Sequence, residues 1–65
     1  MKGTVELFNE TKGFGFIKAD DEENHIIVKR DNLETDQHTI SEGQRVEFEI
    51  IMGERGQEAI HVKLI

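Results

Sequence analysis

The 65-residue sequence contains no cysteine, no tryptophan and no tyrosine, and its aromatic residues other than histidine are four phenylalanines. The absence of cysteine excludes a disulfide framework and a thiolate metal site. No apolar run approaches the length of a membrane-spanning helix, and residues 1–4 lead straight into a strand pattern rather than a signal peptide. We therefore expect a cytoplasmic protein with no membrane association.

Positive charge is also scarce, because eight Lys and Arg residues stand against fourteen Asp and Glu residues, for a formal net charge of −6. Long-range attraction to a polyanion is therefore expected to be poor. The acidic residues are nevertheless segregated. Residues 20–23 are all acidic and residues 34–49 carry five carboxylates against one arginine, whereas residues 1–18 carry three lysines against two glutamates.

No group of residues suits catalysis or a resident cofactor. Ser41 is the sole serine, and no nucleophile, base and orienting group occur together. The three histidines are dispersed, which disfavours a metal site. The acidic run at 20–23 lacks the spaced ligands and glycine of a calcium loop, and Gly13-x-Gly15 lacks the third glycine of a dinucleotide loop. We predict a non-enzymatic protein with no cofactor and no metal.

Strand-like segments occupy most of the chain, and no segment has a convincing helical period. The predicted strands lie at residues 4–8, 14–19, 26–28, 45–50 and 59–64. Residues 31–39 are predicted to form a long loop with one helical turn at 31–34. Five short strands without a second layer predict an all-β fold, a small closed barrel formed by one domain over residues 1–65.

Period-two alternation also predicts which residues share a face in the first and last strands. It places Val5 and Leu7 on one face of the first strand. It places Ile60, Val62 and Leu64 on one face of the last strand. His25, just before the third strand, is predicted to be a solvated residue whose charge responds to pH.

The most informative segment is Lys12–Lys18, in which period-two geometry places two phenylalanines and two lysines on one face. Such a face makes poor core, because burying an unpaired ammonium costs more than a ring gains. We therefore predict that Phe14 and Phe16 lie toward solvent, where rings stack on bases and cations contact phosphates of single-stranded nucleic acid. The alternative is that both rings form the core, which would leave Ile17 exposed.

Several segments together resemble the bacterial cold-shock domain. The likeness lies in Gly-Thr-Val-Glu-Leu-Phe-Asn at residues 3–9 and Lys-Gly-Phe-Gly-Phe-Ile at 12–17, and it resumes at 43–49 and 53–59. It covers nearly the whole chain in register, with one residue gained in the acidic loop and one lost in the 31–39 loop. The RNA-recognition motif shares part of this signature, but that fold needs two helices and more chain.

The resemblance implies a five-stranded antiparallel barrel of the oligonucleotide/oligosaccharide-binding (OB) type. It implies a partner that is single-stranded RNA or DNA, pyrimidine-rich by preference, and a role as RNA chaperone or as regulator of transcription or translation under stress. The matched stacking residues are Phe8, Phe14 and Phe16, and Lys12 matches a basic contact. The matched core positions are Val5, Ile17, Ile26, Val28, Val46, Phe48 and Ile50.

The chain departs from the family pattern at the binding face. Leu7 stands where the family has tryptophan, and Ile-Ile-Val-Lys-Arg at residues 26–30 replaces the usual Val-Phe-Val-His-Phe. The aromatic residue of the following loop is also missing, with Gln37 or His38 near its place. Because base–aromatic stacking contributes about 1–3 kcal/mol per base, we expect weakened binding.

Two uses of this face are predicted. In the first, it binds single strands, with the phosphate or polar contacts made by Lys12, Lys18, Lys29 and Arg30. The Arg30 guanidinium plane is also suited to stack on a base. Further contacts are predicted from Leu7, Ile27 and His38. In the second, the barrel has lost nucleic acid as a ligand, and its acidic surface and exposed apolar residues bind a protein partner or a second copy of the chain.

Overall fold

The computed structural model describes residues 1–21, 24–35 and 39–65. Its elements are β1 (Lys2–Asn9), β2 (Phe14–Ala19), β3 (His25–Lys29), a short 3-10 helix (Arg30–Asn32), β4 (Arg45–Gly53) and β5 (Gly56–Leu64). All five predicted strands are present, and the helical turn lies one residue earlier than predicted. The described residues include no helix that is long and apolar enough to cross a lipid bilayer.

The five strands close into a barrel in the order β1-β2-β3-β5-β4. Every neighbouring pair is antiparallel except β3 and β5, which run parallel through Ile27–Glu58 and Val28–Ala59. A closed ring with an odd number of strands cannot alternate direction throughout, so one parallel pair is unavoidable. The predicted five-stranded barrel is confirmed, with mixed rather than wholly antiparallel pairing.

The core lies inside this ring and is formed by side chains from all five strands and from the segment between β3 and β4. Its buried hydrophobic residues are Val5, Ile17, Ala19, Ile26, Val28, Leu33, Ile40, Val46, Phe48, Ala59 and Val62. Of the predicted core positions, only Ile50 is not fully buried, and it packs against this cluster.

A bulge in β1 changes which residues of that strand face the core. The register of β1 against β2 shifts between Val5 and Leu7. Leu7 therefore lies opposite Phe16 and is 51% exposed, whereas Val5 is buried. Phe8 lies opposite Gly15 and packs against the core. The prediction that Val5 and Leu7 share a face is wrong, because the extra residue of the bulge reverses the alternation.

A second irregularity lies in β5 at His61, whose φ of 51° is in the left-handed region. The register of β4 against β5 shifts here, so that Ala59 and Val62 both face the core although they are three residues apart. Ile60 is half-buried and Leu64 is 46% exposed. The prediction that Ile60, Val62 and Leu64 share one face is wrong for Ile60, because the irregularity at His61 lies between Ile60 and Val62. Leu64 lies opposite the buried Val46 and so keeps the face of Val62.

The bulged His61 joins the segment after the 3-10 helix to β5. Its Nδ1 lies 2.5 Å from Oε2 of Glu34, and its Nε2 lies 3.8 Å from Oε2 of Glu49. The hydrogen bond with Glu34 raises the pKa of His61, and the same bond lowers the pKa of Glu34. The adjacent Leu33 forms a parallel bridge with Val62, so the ion pair reinforces a segment already held on the barrel.

The Glu34–His61 pair predicts a defined pH window for its contribution to stability. The pKa of His61 is raised above 6.5, so its contribution is complete below pH 6.5 and is lost as the pH rises through the folded-state pKa. The pKa of Glu34 is lowered below 4.5, so its contribution is complete above pH 4.5 and is lost as the pH falls through the folded-state pKa. The urea midpoint of the wild type should therefore exceed that of His61→Asn most between pH 4.5 and pH 6.5. Asparagine tolerates the left-handed backbone, and a pH-independent difference would contradict the role of the pair.

Strands β1 and β2 approach so closely at Gly15 that no side chain fits there. A Cβ at this position would lie 2.1 Å from the carbonyl oxygen of Leu7. Gly15→Ala should therefore force the strands apart and lower the free energy of unfolding by roughly 1–3 kcal/mol in urea denaturation. Lys18→Ala, on the exposed face of the same strand, is the control and should change it by less than about 0.5 kcal/mol. Equal effects of the two substitutions would contradict the close approach.

Candidate nucleic-acid interface

The outer face of β2 carries two neighbouring rings. Phe14 and Phe16 are half-buried there, whereas Ile17, on the opposite face, is fully buried. The ring centroids are 6.3 Å apart and the ring planes meet at 88°, which is an edge-to-face contact. The alternative in which both rings form the core is therefore wrong, and the rings present part of their surface to solvent beside the exposed Lys18.

Neighbouring strands extend this face on both sides, because residues opposite one another in the register point the same way. Two rows cross β1, β2 and β3, and they are Leu7–Phe16–Ile27 and Asn9–Phe14–Lys29. The first row is wholly apolar. The second places an amide and an ammonium on either side of a ring.

Phe8 does not share this face with the other two predicted stacking residues. It is half-buried, lies opposite Gly15 in the β1–β2 register, and packs against the barrel core. The β1 bulge is the cause, since it turns Leu7 outward and Phe8 inward. Leu7, which was predicted as a further contact, therefore lies beside Phe16 on the outer face, and Phe8 does not.

Three of the four predicted phosphate-contacting residues project from the edges of this face. Lys12 lies in the turn between β1 and β2, Lys18 lies near the end of β2, and both are exposed. Lys29 is exposed at the end of β3, and its Nζ lies 3.3 Å from Oε1 of Glu58 on β5. The Glu58 carboxylate therefore competes with any anionic ligand for the Lys29 ammonium. Predicted contacts at His38, and the neighbouring Gln37, lie outside the described residues.

Arg30, the fourth of these residues, has a structural role that the sequence did not reveal. Its Nη2 donates to the carbonyl oxygen of Glu10, and its backbone N–H donates to the carbonyl oxygen of Gly13 over 2.8 Å. Gly13 has φ 76° and donates its own N–H to the carbonyl oxygen of Asn9. The β1–β2 turn and the start of the 3-10 helix are thereby tied together, which restricts the guanidinium to one region of the surface.

A groove of about 570 Å³ opens beside Phe14 and Ile27. Four basic side chains line it, together with three carboxylates that lower its net charge to about one positive unit. The basic residues are Lys12, Lys29, Arg30 and Arg55, and the acidic residues are Asp31, Glu54 and Glu58. The volume is in the range of small-ligand sites, and the lining combines an apolar wall with polar groups.

Arg55 was not predicted as a site residue, and no local sequence signal could have shown its position. It lies in the turn between β4 and β5, far along the chain from Phe14. The parallel pairing of β3 with β5 is what brings this turn against the end of β3. The contribution of Arg55 therefore depends on how the barrel closes.

His25 is a second residue that sequence reasoning did not assign to the face. It is exposed, as predicted, but its ring centroid lies 6.3 Å from that of Phe16, and its Nε2 lies 3.3 Å from Oε2 of Glu6. The signal was present, because period-two alternation places His25 on the same face as Ile27 and Lys29. Elsewhere, no three His, Asp or Glu side chains in the described ranges are grouped to hold a metal ion.

The acidic block after β2 begins with a carboxylate that is neutralised locally. Both oxygens of Asp20 accept hydrogen bonds from the Arg45 guanidinium, at 2.7 and 2.6 Å, and Thr4 accepts a third over 3.0 Å. The hydrogen bonds from Arg45 lower the pKa of Asp20. This pair lies at the end of β2 that is remote from Phe14, so it leaves the groove unaffected.

The chain is similar to known proteins in both sequence and structure. Residues 1–65 match the family model described as the 'Cold-shock' DNA-binding domain. The chain is 46% identical over 63 residues to "Cold shock-like protein CspE" of Escherichia coli strain K12, covering 95% of this chain and 91% of that one. It is 44% identical over 62 residues to "Cold shock protein CspA" of Staphylococcus aureus strain USA300, covering 94% and 92%. Among solved structures, "drosophila Unr CSD456" superimposes with a TM-score of 0.82 at 25% identity, covering 98% of this chain and 26% of that longer one.

The tie between Arg30 and the β1–β2 turn predicts a local effect on hydrogen exchange. Arg30→Gln should raise the exchange rate of the Gly13 amide several-fold, since the turn would lose a charge-assisted bond to the Glu10 carbonyl. Lys29→Gln removes a neighbouring charge without touching the turn and is the control. The measurement is amide exchange by NMR, and an unchanged Gly13 rate in Arg30→Gln would show that the bond does not hold the turn.

Proposed function

The chain belongs to the cold-shock domain family of non-enzymatic nucleic-acid-binding proteins, and we propose that it binds single-stranded RNA or DNA on the outer face of β1–β3. The observation that most directly supports this proposal is the edge-to-face pair of half-buried rings, Phe14 and Phe16, with lysines near both ends of their strand. Base faces stack on such rings without regard to sequence, while lysine contacts phosphates. Residues 1–65 act as one domain in this proposal.

The proposed stacking surface differs from the predicted one in its membership. Phe14 and Phe16 provide two rings, and His25 provides a third beside Phe16. Leu7 and Ile27 flank Phe16 as apolar contacts rather than as rings. Phe8 is not a member of this surface, because it lies opposite Gly15 and packs against the barrel core.

We propose that this surface binds more weakly than one with a full set of aromatic residues. Each missing ring removes a stacking contribution of about 1–3 kcal/mol, and aliphatic side chains recover only part of it. Lys29, Arg30, Lys12 and Lys18 offset some of the loss by contacting phosphates, although Lys29 shares its charge with Glu58. Short pyrimidine-rich segments, bound weakly and released quickly, suit an RNA chaperone or a regulator of transcription or translation.

Removal of either ring should abolish most of the binding with little loss of stability. We expect Phe14→Ala and Phe16→Ala each to weaken binding of a short pyrimidine-rich strand about tenfold or more. Both rings are half-buried on the outside of the barrel, so unfolding midpoints should fall only slightly. Met52→Ala removes a side chain that is 76% exposed on β4 and should leave binding unchanged. The measurement is an NMR titration of backbone amides at low salt.

The same titration distinguishes a protein that binds single strands from a barrel that no longer binds nucleic acid. In the wild type, shifts should cluster on residues 7, 12–18 and 25–30 and should shrink as salt is raised, because phosphate contacts release counterions. Lys18→Gln should reduce the salt dependence without removing the shifts. An absence of saturable shifts at high oligonucleotide concentration would refute the proposal and favour a protein partner on this face.

A further inference from the structure

We propose that the groove beside Phe14 binds a strand end, a terminal nucleotide that carries a phosphate monoester. The inference rests on the proposed function and adds to it a chemical group and an end preference. The cations of the chain are concentrated at one place on the barrel. Four of the eight lysine and arginine residues of the chain line this one groove. A surface built only to follow a phosphodiester backbone would spread its cations along the strand.

Most of these cations are available to a ligand. Lys29 pairs with Glu58, but Lys12, Arg30 and Arg55 form no ion pair with any carboxylate in the described part of the chain. Arg30 and Arg55 both line the groove and come from different parts of the fold, one beside the β1–β2 turn and the other in the β4–β5 turn. Guanidinium groups bind phosphate oxygens in bidentate fashion, so each of these two side chains offers paired donors to a phosphate in the groove.

Arg30 is held in place before a ligand arrives. Its Nη2 donates to the Glu10 carbonyl, and its backbone N–H donates to the Gly13 carbonyl. These bonds use only part of its donor capacity, since a guanidinium has five N–H groups. The ordering that usually opposes binding by a long side chain is therefore partly complete in the free protein.

The remaining lining suits the nucleoside part of the same ligand. Phe14 and Ile27 form an apolar wall for a base, and the Asp31 and Glu54 carboxylates are acceptors for base N–H groups or ribose hydroxyls. The groove of about 570 Å³ matches one nucleotide and part of its neighbour rather than a long strand.

The charge of the ligand argues for an end rather than an internal residue. A phosphate monoester carries close to two negative charges at pH 7, whereas an internal phosphodiester carries one. Two charges suit three available cations. A strand that continued through the groove would bring a second phosphate against Asp31, Glu54 and Glu58, which line the same space.

The test compares three thymidine tetranucleotides, one with a 5′-phosphate, one with a 3′-phosphate and one with neither, by NMR titration at pH 7.5 and constant ionic strength. One phosphorylated form should bind about tenfold tighter than the unphosphorylated form, as a charge-assisted hydrogen bond provides. The additional shifts should appear at Lys12, Gly13 and Arg55. Because the protein carries a net charge of −6, general electrostatics would oppose the extra phosphate, so a gain requires local contacts.

Substitutions assign the gain to the groove. Arg55→Gln should reduce the preference to about twofold or less, and Arg55→Lys, which keeps the charge without the bidentate geometry, should give an intermediate value. Lys18→Gln, outside the groove, should weaken all three oligonucleotides alike and keep their ratio. A preference that survives Arg55→Gln would overturn the inference.

The outcomes separate this inference from the proposed function. Equal binding of all three oligonucleotides overturns the end preference while supporting single-strand binding. Failure of all three to bind overturns the proposed function itself. Displacement of the phosphorylated tetranucleotide by millimolar inorganic phosphate, with no displacement of the unphosphorylated one, supports a phosphate subsite. No such difference in displacement counts against it.

Discussion

The arrangement of the proposed binding face depends on how a ring of five strands is closed. With an odd number of strands, one neighbouring pair must run parallel, and here it is β3 with β5. That pairing lays the β4–β5 turn against the end of β3 and so brings Arg55, Glu54 and Glu58 to Phe14 and Lys29. The groove is therefore a product of closure. Neither the β1–β3 sheet nor the β4–β5 hairpin contains it alone.

The sequence predicted what depends on local periodicity, and it failed where periodicity is interrupted. The number of strands, the core and the outward orientation of Phe14 and Phe16 all follow from alternation and from the cost of burying lysine. Leu7 and Phe8 exchanged faces because a bulge follows Val5, and nothing in the residues there announces it. His61 likewise adopts a left-handed backbone conformation, which is uncommon for a residue other than glycine and could not be read from the sequence.

The candidate site was predicted to the same extent. Lys18 and the two rings lie on the outer face of β2 where alternation puts them, and His25 was within reach of the same reasoning. Lys12 lies in the turn before β2, and Lys29 lies at the exposed end of β3. Arg55 was not, because its neighbours are distant in the sequence. The second role of Arg30 was also hidden, since it depends on a carbonyl group that the turn at Glu10 directs toward it. Charge gives a similar lesson: a net −6 on the chain coexists with a groove whose cations outnumber its carboxylates.

The parallel join between β3 and β5 is also the narrowest part of the wall. It consists of Ile27–Glu58 and Val28–Ala59, continued by the isolated bridge between Leu33 and Val62. Local unfolding begins where few backbone bonds must break, so we expect the barrel to open first at the β3–β5 pairing. A ligand bound between Phe14 and the β4–β5 turn would contact both sides of the parallel β3–β5 pairing. Occupancy and the integrity of the barrel are then linked, and the protein is most firmly closed when its groove is full.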